Sequence, residues 1–137
     1  MPFARKVPIL FVFFAVPVLA VGCSGKKAAE GDVQRRDSEL SEVYEMFATF
    51  TKHNQRPPKQ LSDLNSKEFQ GIYPVGLKAL RDGQYVAVWG VDVNGKDSGT
   101  VLAYEKDAPK QGGAVLMANG NVKTMSADDL QAILPKK

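Results

Sequence analysis

Apolar residues fall along this chain in three rhythms. From Val7 to Val21 they run almost unbroken behind the basic pair Arg5 and Lys6. Between Val33 and His53 they recur every three or four residues: Leu40, Val43, Tyr44, Phe47 and Thr51 share one face, widened on one flank by Met46 and Phe50. That spacing predicts a helix. At roughly 100° per residue its apolar sector is about 160° wide, too broad for a helix half in water. Arg36 falls in the middle of the sector, so the helix is expected to pack from about Leu40 and to project as a stalk before it. Pro57 and Pro58 should end the helix by Arg56, since they remove N–H donors and disfavour helical geometry in the residue before them.

After Gly83 the period becomes two. Tyr85 to Val91 and Thr100 to Glu105 are rich in aromatic and branched residues, and the turn-forming stretch Asp92 to Gly99 separates them. Ala114 to Ala118 and Asn121 to Met125 flank Asn119-Gly120, a hairpin signal in which both turn residues are expected at positive φ. A short helix is expected at Pro74 to Arg81 with Gly83 as its left-handed stop. Another should be capped by Ser126, with Asp129 three residues on, and end by Pro135. Leu61 and Leu64, in the extended stretch and turn from Pro57, are pegs into the core. The pattern is that of an α+β fold: a long amino-terminal amphipathic helix packed on an antiparallel sheet of about four strands, with a short carboxy-terminal helix.

The first apolar run has the charge-then-apolar order of a secretory signal. At roughly 15 residues, with Pro8 and Pro17 inside, it is shorter than the about 20 that a spanning helix needs. It leads into Leu19-Ala20-Val21-Gly22-Cys23-Ser24, which resembles the lipobox of bacterial lipoproteins, although Ala20 stands where that family prefers leucine. The resemblance implies removal of residues 1–22 as a signal peptide. It also implies diacylglycerol on Cys23, and an exported protein membrane-anchored on the periplasmic or outer-surface side. Residues 23–32 contain nothing apolar larger than alanine beyond the lipidated cysteine, and read as a flexible tether. Residues 33–137 read as one globular domain.

Composition sharpens this picture. Cys23 is the single cysteine, so no disulfide within the chain is available and the domain depends on its core. The net charge of +3 falls to about +1 without Arg5 and Lys6. A nucleic-acid partner is therefore not expected, because such affinity comes from neutralising many phosphates.

A helix that leaves through His53-Asn54-Gln55-Arg56-Pro57-Pro58 into Leu61-Ser62-Asp63-Leu64 resembles the corresponding stretch of pseudopilins. Val101 to Glu105, and Gly112-Gly113 through Asn119-Gly120-Asn121-Val122, are similar to the prepilin-processing-associated family. Together these resemblances cover most of residues 33 to 134 and imply a pilin-like head. That family's signature is a histidine, nine residues, then Asp-Gly, usually followed by another histidine. Pro109, Asn119 and Asn121 hold those places here, so the hairpin is kept without its ionisable groups. The lipobox stands in place of a prepilin cleavage site and long apolar helix.

Candidate chemistry is sparse, and no catalytic residue or cofactor is assigned. His53, the only histidine, sits where a helix ends and complements its dipole. With Cys23 lipidated, one histidine does not supply a usual zinc ligand set. Asp128 and Asp129 are neighbours that face different ways on a helix, where first-turn acids suit the dipole. Tyr85 and Trp89 share parity and are expected under the helix rather than on a binding platform with Tyr73 and Tyr104. Two functional surfaces are expected. The first is a partner surface at Met46 and Phe50 for another envelope protein, provided the sheet leaves that flank uncovered. The alternative is a small-ligand or calcium loop over 92–99, with Asp92, Asn94 and Asp97 as oxygen donors. Against calcium, Lys96 and Ala103 occupy places that an EF-hand gives to ligands. The leading expectation is a non-enzymatic, membrane-anchored interaction or assembly module.

Overall fold

The computed structural model of the protein describes residues 25–95 and 99–136. Helix α1 (Gly25–Asn54) comes first and is followed by a 3-10 turn at Leu61–Leu64. Helices α2 (Lys67–Ile72) and α3 (Pro74–Arg81) lead into strand β1 (Tyr85–Ala87). Strand β2 (Val101–Glu105), a one-turn helix α4 (Ala108–Gln111), β3 (Gly113–Met117), β4 (Val122–Met125) and α5 (Ala127–Ile133) complete the chain. The four strands form one antiparallel sheet in the order β1-β2-β3-β4. Residues 1–22 and Cys23 lie outside the described residues.

The core explains the order of the layers. Leu40, Val43, Met46 and Phe47 of α1 are fully buried, and they share one cluster with Leu77 and Leu80 of α3 and with Leu102, Ala114 and Leu116 of the sheet. Helix α1 thus covers one sheet face beside α3. The other face is partly covered as well: Leu130 of α5 is fully buried against Val101, Val115, Met117 and Ala108. Two covered faces account for the unbroken apolar run Ala114 to Met117, which an open face would have interrupted with polar residues. In β2 the register shifts between Val101 and Ala103. This bulge lets consecutive residues, Leu102 and Ala103, both join the α1 side of the core.

Several expectations are corrected. Residues 25–32, read as a tether, belong to α1; Lys26, Lys27, Ala28, Ala29 and Glu30 are all good helix formers, against which stand only Gly25 and Gly31. The apolar packing of α1 begins at Leu40, and one turn earlier Arg36 adds a polar contact to a carboxylate on the sheet. The helix ends at Asn54, and Gln55 takes a left-handed φ of 55°. Side chains close the open end: Asn54 donates to the Phe50 carbonyl and Gln55 to that of Lys52, each at 2.9 Å.

The expected strand Tyr85–Val91 stops at Ala87. Val88 still donates to Leu102 O at 2.8 Å, but Gly90 turns the chain at φ 83° and donates to Pro58 O. In the β3–β4 hairpin only Gly120 has positive φ, at 85°, and Asn119 does not. Gly120 N–H bonds Met117 O at 3.0 Å and Met117 N–H bonds Asn121 O at 2.8 Å, giving a three-residue loop with a bulge in place of the two-residue turn. Helices α2 and α4 were not expected. Helix α3 has the expected bounds, with Gly83 at φ 70° behind it, and Ser126 caps α5 by accepting from Asp129 N–H.

Candidate interaction site

Helix α1 meets the head through a polar seam beside its apolar face. Arg36, Glu39 and Glu42 recur every three residues, and each reaches a different element. The Arg36 guanidinium lies 3.4 Å from Glu105 on β2, whose second oxygen accepts Ala114 N–H at 2.8 Å. Glu39 is buried and accepts the Tyr85 hydroxyl at 2.7 Å, with the Arg35 guanidinium 3.9 Å away. Burial, reinforced by the Glu39 carboxylate, pushes the Tyr85 phenol well above its ordinary pKa. Glu42 accepts Val75 N–H at 2.9 Å and Gly76 N–H at 2.7 Å, capping the start of α3. Glycine is needed at position 76, since a Cβ there would stand 2.7 Å from the Glu42 Cβ and 3.0 Å from Glu39 O. The seam ties α1 to three other elements, β1, β2 and α3, and its acceptors are engaged in doing so.

At the carboxy-terminal end of α1 the surface opens into a cleft of about 300 Å³ between α1, the 3-10 turn and α2. Phe50, Phe69 and Tyr73 form its apolar lining, and Ile72, 56% exposed, stands at its edge. The phenylalanine and tyrosine of the α2 side pack at 5.8 Å between centroids. Thr49 and Tyr73 share a hydrogen bond of 2.9 Å between their hydroxyls. His53, Asp63 and Glu68 border the same cleft. Asp63 is committed elsewhere: it accepts Lys59 N–H at 2.8 Å and pairs with Arg56 at 3.4 Å. Its carboxyl is held below the usual carboxylate range, first by that backbone bond and then by the guanidinium. Arg56 also lies over the Phe50 ring at 5.1 Å. The cleft sets the exposed Ile72 beside largely buried aromatic rings, with polar groups at its border.

The residues singled out in the sequence are dispersed. Met46 is fully buried and Phe50 is 6% exposed, so the partner surface expected on that flank is covered by the protein's own chain; only Phe50 reaches a surface feature, the cleft. Asp92 accepts Asn94 N–H at 2.9 Å, the local bond of an Asx turn, while Asp97 lies outside the described residues. No three His, Cys, Asp or Glu side chains converge as a metal-holding group among the described residues. His53 is exposed at the end of α1. Tyr85 is in the core, and Trp89 stacks on Phe47 at 5.5 Å. Gly112 and Gly113 form the entry to β3, Gly112 at φ 79°.

Glu39, Glu42 and Ile72 carry more of the surface and its support than the periodicity indicated. Glu39 lies at the margin of the apolar sector, and that placement was the available signal for it. Comparison with known proteins finds no family model, no curated protein and no solved structure that matches the chain.

Proposed function

We propose that this chain is a lipid-anchored module of the cell envelope, non-enzymatic, whose pilin-like head holds a partner protein at the cleft beside Ile72. One observation carries the reading: α1 is exposed from Glu30 to Arg35, then seats on the head, and the cleft lies at its far end. Thirty residues at about 1.5 Å each give the helix a length of roughly 45 Å. With lipid on Cys23, two residues before the helix begins, such a helix would carry the cleft away from a membrane surface. The lipobox-like segment supports the anchor, and the order of long helix then antiparallel meander supports the pilin-like comparison. No described helix is long and apolar enough to cross a membrane.

The test is photocrosslinking from position 72 in intact envelopes, with a second crosslinker at the exposed position Lys123 as control. A discrete adduct from position 72 and none from position 123 is expected. No adduct from either, or the same pattern from both, would remove the cleft as a partner surface.

A further inference from the structure

The second face of the sheet is covered unevenly. Leu130 of α5 closes it over β2 and β3, but α5 ends at Ile133 and Leu134 turns extended, with ψ 142°. Beside that exit a groove of about 530 Å³ remains, the largest concavity among those described. Val86 and Tyr104, cross-strand partners in register, contribute to it with Val88, Trp89 and Leu134. Val86 is 37% exposed there. Among the described residues, Lys136 is the charged residue lining the groove.

We infer that this groove binds a small anionic amphiphile, a free single-chain carboxylate whose apolar body lies on Val86, Val88 and Tyr104 and whose head meets Lys136. Size, lining and charge point the same way. Sites for small molecules are concavities of about 300–1,000 Å³, mostly apolar, with few polar groups to fix orientation. The Lys136 ammonium at the groove favours a negative head over a neutral or positive one. A body that covers Val86 removes exposed apolar surface that α5 is too short to reach. This site is separate from the cleft beside Ile72, and its failure would leave the partner reading standing.

Trp89 is the only tryptophan in the chain and borders the groove, so its fluorescence reports the site. The intact chain, reconstituted in phosphatidylcholine vesicles, is titrated with a bromine-labelled decanoate that quenches tryptophan on contact. Saturable quenching is expected, lost in Val86→Asp and weakened about threefold in Lys136→Ala, in keeping with a partly exposed charge pair. Circular dichroism of both variants shows whether the fold is retained. If Val86→Asp misfolds, competition by unlabelled decanoate against decylamine decides instead: the carboxylate should displace the probe at several-fold lower concentration than the amine. Absence of a saturable component would overturn the inference, as would equal competition by decylamine. Quenching by brominated phosphatidylcholine alone would also overturn it, assigning the groove to membrane lipid.

Discussion

At the residue scale, Glu39 and Tyr85 show how the chain brings an acid into its core. A buried carboxylate is costly unless its oxygens are hydrogen-bonded. Tyr85→Phe leaves Glu39 with only the distant Arg35 and should destabilise the fold by about 1–3 kcal/mol, read as a lower urea midpoint. The same pair sets a pH dependence. Folding raises the Tyr85 pKa, so its contribution to stability is complete below the unfolded value of about 10 and is lost as pH rises above it. Between pH 8 and pH 11 the wild type should lose more stability than Tyr85→Phe; equal losses would show that the phenol is not the group responsible. Gly76→Ala tests the neighbouring contact. An added methyl gains about 1 kcal/mol of helix propensity but enters a space already filled by Glu42 and the α1 backbone. The close approach should dominate, for a net loss of about 1–3 kcal/mol in chemical denaturation. Neither position was legible as critical in the sequence, because both depend on which helix face meets which strand.

At the element scale, the sequence was most informative where a strong local signal fixed a boundary. Pro74 and Gly83 bracket α3, Ser126 caps α5, and the alternation after Gly83 yields the meander. It was least informative where tertiary contact decided the matter. Helix α4 is a single turn, β1 is cut short by a left-handed Gly90 bonded to Pro58, and α5 hides a sheet face that periodicity left open. The apolar width of α1 indicates burial, but whether the flank of Met46 and Phe50 stays uncovered depends on how far the rest of the chain wraps, and both are buried. Helix α1 itself divides at Arg36. A helical segment of about a dozen residues without packing is marginal in water. Amide exchange should therefore be fast from Gly25 to Arg35 and slow from Leu40 to Thr51. Strong protection over Gly25 to Arg35 would mean that another surface covers the stalk.

At the scale of the whole molecule, the proposed lipid anchor at Cys23 would lie at one end of α1 and the cleft at the other. The chain's basic surplus nearly disappears with Arg5 and Lys6, and its only cysteine stands just before α1. The mixed fold with its four-stranded antiparallel sheet and carboxy-terminal helix was legible, whereas the cleft was not, since Phe50, Phe69, Ile72 and Tyr73 converge only in the folded chain. What unites stalk, seam and cleft is the proposal that lipid on Cys23 holds the head at a membrane. Fractionation of envelopes carrying the native chain or Cys23→Ala tests that claim most directly. The native protein is expected in the membrane fraction, resistant to high salt, and the variant displaced from it. Equal retention of both forms would contradict the lipid anchor, and with it the role of α1 as a membrane-based stalk.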